Sequence, residues 1–261
     1  MSIRERDLTH GHGARFIVEG KVTLETLLTR SRFEIESLFL SETRLGPLAD
    51  SLTNVPPNLP IYTAPQAIMD EIAGFPIHRG ILACGLKGSR LGIQHILGEN
   101  SPVASHAHTQ IRSVILMLSG ISNHDNIGAC FRNAAAFGAS GVLLDDQSCD
   151  PLYRKAIRVS SGASLWLPFA HENSTDAQIA AAKAAGYTIW ALTPRADAAP
   201  LRAAPIPDKL VILLGPEGPG LSDAHINAAT PIRIPMAAGF DSLNVATAGA
   251  IALAHVCDIA N

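Results

Sequence analysis

The stretch VILLGPEGPGL at residues 211–221 is an apolar run that ends in a turn rich in Gly and Pro. A strand leading into glycines is the usual setting of a phosphate-binding loop, and Gly215 and Gly220 have the G-x-x-x-x-G spacing of that motif. Leu221 stands where the motif needs Lys to hold the phosphates, and Glu217 inside the loop would repel them. Nucleoside triphosphates are therefore excluded on charge. What the loop suits is close backbone approach to a ligand with little negative charge, because glycine brings no Cβ. Elsewhere RKAIR places Arg154, Lys155 and Arg158 on one helical turn, a grouping suited to phosphate contacts. His106 and His108 have H-x-H spacing with no Cys or carboxylate near, so no metal site is expected.

Such residues need a scaffold. The 261 residues allow one or two domains, and 47% hydrophobic with 16% charged residues is ordinary globular composition. A formal net charge of −3 excludes a wholesale basic footprint, so any nucleic acid must be held by local Arg and Lys groups. Cys84, Cys130, Cys149 and Cys257 are scattered without C-x-x-C spacing, which suits a reducing compartment and a cytoplasmic protein. No apolar leader opens the chain and no 18-residue apolar span follows, so no membrane partner is expected.

Residues 1–90 alternate helix-like and strand-like stretches, with VTLETLLTR and QAIMDEIAG as helices and IESLFLS, PIYTA and GILACGL as strands. They read as a small α/β domain. Residues 91–112 lose periodicity, gather Gly, Ser, Pro and His, and read as a linker with room for one short helix. From 113 to 261 the apolar runs SVILMLSG, SGVLLDD, SLWLPFA, YTIWALTP, KLVILLG and IRIPMA alternate with helical segments, and SLNVATAGAIALAHVCDIA closes the chain as a long helix. That alternation specifies an α/β fold, a parallel sheet with helices on both faces. Ligands of such sheets sit beyond the carboxyl ends of the strands. SGISNHDNIG, GPEGPGL and AAGFDSLN lie at such ends, so the site is expected there.

In order and spacing, NHDNIGACFRNAAAFGASGVLL (123–144), LVILLGPEGPGLS (210–222) and IPMAAGFDSLNVATAGAIALAH (234–255) resemble the three motifs of the SpoU (TrmH) branch of the SPOUT RNA methyltransferases. DPLYRKAIRVSSGASLWLPF (150–169) is a fourth match, and RFIVEGKVTLETLL with HRGILACG is similar to the RNA-binding substrate domain of rRNA-directed members. The resemblance implies S-adenosylmethionine as cofactor and methyl transfer to a ribose 2′-hydroxyl of RNA, rRNA more than tRNA. It also implies a homodimer and a C-terminal trefoil knot, preceded by a small α/β RNA-binding domain. A non-catalytic RNA-binding or assembly relative is the alternative from another class; retention of Asn126, Arg132, Glu217 and Asn244 argues against it. A dinucleotide enzyme is disfavoured by the absence of G-x-G-x-x-G after an early strand.

By position in the motifs, the resemblance puts cofactor contacts at Leu214, Gly215, Gly218, Ile234, Met236 and Leu243. It puts catalytic groups at Asn126, Arg132, Glu217, Ser242 and Asn244; the clustered charges of Arg154, Lys155 and Arg158 make them the expected RNA contacts. Arg30, Arg32, Arg79, Lys87 and Arg90 are further RNA candidates in the N-terminal part. A free arginine is a poor base, with a pKa above about 12, so Arg132 is expected to position phosphate and ribose through its planar fork. Glu217 is expected to orient Arg132 or cap the following turn, and Asp241 with Ser242 to cap the last helix. Two positions depart from the family pattern: His124 where Pro or a small residue is usual, and Ala246 where a second Ser is common.

Overall fold

A computed structural model describes residues 15–73, 77, 80–98 and 112–257. Arg79, His106, His108 and most of the expected linker lie outside these residues. By contacts the chain forms two units: Met1–Ser89 with Pro151–Trp166, and Arg90–Asp150 with Leu167–Asn261. The segment carrying RKAIR therefore belongs with the N-terminal unit.

In the first unit the strands are β1 (Arg15–Glu19), β2 (Glu34–Ser41), β3 (Ile61–Ala64) and β4 (Ile81–Leu86), with helices α1 (Lys21–Thr29), α2 (Ala49–Leu52) and α3 (Gln66–Ala73). Their order is β1-β4-β2-β3, antiparallel except for the β2–β3 pair. β1 and α2 add to the elements expected from periodicity. Thr23, Leu24 and Leu27 of α1 are buried against the sheet. Helix α6 (Arg154–Val159) packs on β1, and the Arg154 guanidinium bonds the buried Glu19 carboxylate at 2.5 Å. Gly162, at φ +82, comes so close to Thr26 that a Cβ there would lie 2.9 Å from the Thr26 Cβ.

The second unit holds α4 (Ile93–Leu97), β5 (Ser113–Leu118), α5 (His124–Ala136), β6 (Gly141–Leu144), β7 (Phe169–His171), α7 (Thr175–Ala184), β8 (Thr188–Leu192), β9 (Ala199–Pro200), β10 (Lys209–Leu214), α8 (Asp223–Asn227), β11 (Thr230–Arg233) and α9 (Val245–Val256). Seven strands form one parallel sheet ordered β7-β6-β5-β10-β8-β11-β9. β5, β6 and β10 are buried almost throughout, which is why they read as unbroken apolar runs. Alternate side chains serve the two faces. Ile115, Met117, Val211 and Leu213 pack with Ile93, Ile96 and Leu97 of α4 and Ile179 and Ala182 of α7. On the other face α9 crosses so closely that a Cβ on Gly249 would meet Leu214 Cδ1 at 2.9 Å, as the Ala and Gly of ATAGAIALA require.

Two strands differ from the sequence expectation. Of SLWLPFA only Phe169 and Ala170 are extended, in a strand that runs on to His171, and Ala163–Leu165 forms a 3-10 turn. β11 ends at Arg233, so Ile234 and Met236 fall in the loop beyond it; Pro235, which has no N–H, cannot extend a ladder there. Among the described residues no helix is long and apolar enough to cross a membrane.

Candidate active site

Beyond β5 the chain turns through Ser119 and Gly120, and this turn is fixed by a carboxylate on the neighbouring strand end. Asp145, only 4% exposed, accepts from Gly120 N at 3.0 Å, Ser148 Oγ at 2.7 Å and Thr175 Oγ1 at 2.9 Å. A buried carboxylate is tolerated when every lone pair is met in this way. Sequence reasoning missed Asp145, whose only signal was a carboxylate closing an apolar strand. The loop then enters α5, capped by Asn123 Oδ1 accepting from Asp125 N at 2.8 Å.

Helix α5 carries two expected residues on different faces. Asn126 is 7% exposed and shares its face with Asn133, whose Nδ2 donates to Ala246 O at 2.9 Å. Arg132 lies roughly a third of a turn round the helix from Asn126. It is exposed and has no hydrogen bond or ion pair among the described residues.

The second loop follows β10, which is tied to the first by Ser119 N donating to Leu214 O at 2.9 Å. It closes on itself through Gly220 N to Pro216 O at 3.1 Å, with Gly218 and Gly220 at positive φ. A Cβ on Gly215 would stand 2.6 Å from Leu221 N, so only glycine fits there. Ser222, not Glu217, caps α8, accepting from His225 N. The third loop follows β11 and ends at α9, where Asn244 Oδ1 accepts from Ala246 N at 3.0 Å and Thr247 N at 3.2 Å. Asn244 is thus the cap expected at Asp241 and Ser242; the helix starts at Val245, too late for those two to reach its first amides. Ser242 Oγ instead approaches Asp241 Oδ1 at 3.4 Å.

The three loops meet in one side-chain network. Asn244 Nδ2 donates to Asn126 Oδ1 at 2.9 Å and to Glu217 Oε1 at 3.0 Å. Glu217 therefore orients Asn244, where sequence reasoning offered Arg132 as its partner. Beneath them burial, and then the charge of Glu217, pushes the Cys130 thiol up to about 12. The departure at Ala246 leaves the cap intact, since only its backbone is used.

Beside the network opens a cleft of about 880 Å³. Leu214, Gly215, Glu217, Gly218, Ile234, Met236, Ser242, Leu243 and Asn244 all line it, whereas Asn126 and Arg132 do not. The loop after β8 contributes Thr193, Pro194 and Arg195, which sequence reasoning did not single out. Its signal was the neighbourhood of β8 and β10, a long-range pairing. Arg195 reaches Asp223 at 3.1 Å and Asp197 at 3.5 Å. Arg154, Lys155 and Arg158 lie in the N-terminal unit, where Arg158 also approaches Glu19, at 3.8 Å. Among the described residues no group of three or more His, Cys, Asp or Glu is placed to hold a metal ion.

Comparison with known proteins identifies the family. The sequence profile of the SpoU rRNA Methylase family matches residues 113–254. An uncharacterised tRNA/rRNA methyltransferase of Mycobacterium bovis is 35% identical over 253 residues, covering 95% of this chain and 82% of that protein. The 23S rRNA (guanosine-2′-O-)-methyltransferase RlmB of Shewanella oneidensis is 28% identical, covering 91% and 94%. A crystal structure of an RNA 2′-O ribose methyltransferase superposes with a TM-score of 0.73 at 26% identity, over 93% of this chain and 87% of that one. The AdoMet-bound rRNA methyltransferase of Sinorhizobium meliloti shares the fold at TM-score 0.73 and 23% identity, over 93% and 86%. The chain belongs to the SpoU rRNA methylase family of RNA methyltransferases.

Proposed function

We propose that this chain transfers a methyl group from S-adenosylmethionine to a ribose 2′-hydroxyl of ribosomal RNA, and does so as a homodimer. The Asn126–Asn244–Glu217 network at the rim of the cleft carries the reading. The names of the Mycobacterium and Shewanella relatives, which cover tRNA/rRNA and 23S rRNA respectively, support the RNA class.

The cleft fits the cofactor. Its volume lies in the range of roughly 300–1,000 Å³ usual for small-molecule sites. Leu214, Ile234, Met236 and Leu243 give an apolar side, and Gly215 and Gly218 bring backbone within reach. Glu217, Asp223 and Asp241 face one guanidinium, Arg195, a balance suited to a ligand bearing a sulfonium, an ammonium and one carboxylate.

When bound, the cofactor supplies a methyl group on a positively charged sulfur. The chain's task is to hold the hydroxyl in line and relieve it of its proton. Both amide hydrogens of Asn244 are engaged and its oxygen caps α9, so its role is to fix Glu217 and Asn126. That leaves Glu217 Oε2 to accept from the ribose hydroxyl, with Ser242 beside it on the rim. Arg132 faces away from its own cleft, on the exposed side of α5. A second copy seated on α5 and α9, where Ala136, Ile251 and Ala254 are exposed, gives it a cleft to serve as a phosphate fork.

The C-terminal trefoil knot that the family resemblance implies belongs to the same proposal. The N-terminal unit is proposed as the RNA-recognition domain: Arg30 and Arg32 are exposed there, as are Lys155 and Arg158, and Lys87 is half-buried, whereas Arg90, also exposed, opens the second unit. Arg154, engaged by Glu19, serves the packing of α6 on β1 first. Free cysteines at Cys84, Cys130, Cys149 and Cys257 support a cytoplasmic setting.

Calorimetric titration with S-adenosylmethionine and its demethylated product tests the cofactor site, and transfer of radiolabelled methyl into total RNA, with mapping of the modified ribose, tests the rest. Micromolar binding and a methylated rRNA ribose are expected; binding without transfer to any RNA would overturn the enzymatic reading.

A further inference from the structure

Among the described residues Phe240 is the most exposed large apolar side chain, at 73%. It stands at a turn of the third loop, its N–H donating to Ala237 O at 3.2 Å. Gly239 before it takes φ +86, and a Cβ there would meet nothing within 4 Å, so the tip of the turn is open. Met236 before the tip and Asp241, Ser242, Leu243 and Asn244 after it all line the cleft. The loop leaves the cleft to display one phenyl ring and then returns.

Charge decides what that ring meets. The residues lining the cleft set three carboxylates against one guanidinium, and Arg195 already holds Asp223 and Asp197. Within one copy the cleft side chains give a phosphate no net attraction, and the Arg132 fork of a second copy is the one group offered to it. A nucleotide whose ribose reaches Glu217 must therefore be held here through something other than its charge. An unpaired base offers a neutral π-face, and aromatic side chains stack on such faces in single-stranded RNA. Resting on the reading above, we propose that Phe240 stacks on the base of the target nucleotide, and that the substrate is consequently an unpaired nucleotide rather than one inside a duplex.

The test titrates a fluorescein-labelled 12-nucleotide single-stranded RNA of mixed sequence into full-length protein saturated with S-adenosylhomocysteine. Phe240→Ala is expected to raise the Kd roughly five- to hundredfold, and Phe240→Trp to restore it. The slope of log Kd against log salt stays unchanged, because no phosphate contact is lost. A duplex of the same length binds wild type and Phe240→Ala alike. Equal single-strand affinity in wild type and Phe240→Ala overturns the inference. So does weakened S-adenosylhomocysteine binding in Phe240→Ala, which would make the ring part of the cofactor site, or a changed sedimentation mass, which would make it an interface between copies. Failure of the underlying reading is distinct: wild type itself would then bind no S-adenosylmethionine and transfer no methyl to total RNA.

Discussion

Asn126 and Asn244 stand 118 residues apart in sequence, and their carboxamides meet at 2.9 Å. One belongs to the helix after β5, the other caps the helix after β11, and the pair locks two strand-end loops together at the point where the third delivers Glu217. Because one side chain both starts a helix and organises the site, stability and activity are separable only by choosing the substitution.

Asn244→Ala removes the cap and both donors. Loss of an N-cap costs about 1 kcal/mol, so chemical denaturation should show a loss of at least that size together with abolished methyl transfer. Asn244→Asp keeps an acceptor for Ala246 N and Thr247 N but loses both donors and sets a carboxylate against Glu217. It should unfold later than Asn244→Ala and be equally inactive. Activity in Asn244→Asp near that of wild type would show that the donors to Asn126 and Glu217 do not matter.

Arg132→Ala should abolish methyl transfer and leave cofactor affinity within about twofold, less than 0.5 kcal/mol. Its side chain neither lines the cleft nor bonds any described residue, so the fold has little to lose. Calorimetry and transfer assays on the same preparation check this; joint loss of binding and transfer would give Arg132 a structural role.

Gly215 and Gly218 lie in one loop but should respond differently to alanine. At Gly215 the new methyl meets backbone, Leu221 N at 2.6 Å and Gly220 C at 2.9 Å, so the loop must move. Overpacking of this kind costs about 1–3 kcal/mol, and cofactor binding should fall with it. At Gly218 nothing lies within 4 Å and only φ +88 resists, a strain of about 1 kcal/mol. Thermal melts and cofactor titrations of the two variants should rank them in that order.

Acid stability offers a check on the N-terminal unit. Hydrogen bonds from Arg15 and then Cys84 lower the Glu36 carboxyl to about 2. A depressed folded pKa stabilises fully above the ordinary value near 4.5, and that contribution is lost as pH falls toward 2. Both side chains are well exposed, at 38% and 34%, so solvent screening keeps the effect small. Glu36→Gln should flatten the pH dependence of unfolding between pH 4.5 and 2, and at pH 7 it should lose the small stabilisation that the ionised carboxylate gives.

Much of this was legible in the residues. Buried parallel strands announce themselves as apolar runs, and the three loops follow from where those runs stop. Caps were harder, because Asp241, Ser242 and Asn244 are all good capping residues and only the backbone turn before Val245 selects among them. Pairings across the chain were illegible: Asp145 with Gly120, Glu217 with Asn244 in place of Arg132, Arg154 with Glu19. Each depends on which strands and helices become neighbours, which local periodicity does not encode. A 5% aromatic content gave no hint that one Phe would be set at the lip of the cleft.

The excursion of Pro151–Trp166 into the N-terminal unit makes that unit discontinuous along the chain. During synthesis Glu19 waits for the counter-charge of Arg154, and Arg30 for the ring of Trp166 over which its guanidinium sits at 4.1 Å, until more than half of the polypeptide has been made. A fragment stopping at Ser89 leaves Glu19 without that partner and Thr26 without the Gly162 turn against it. Such a unit is not an interchangeable cassette: a gene fusion that swapped only the first ninety residues would have to carry the later segment with it.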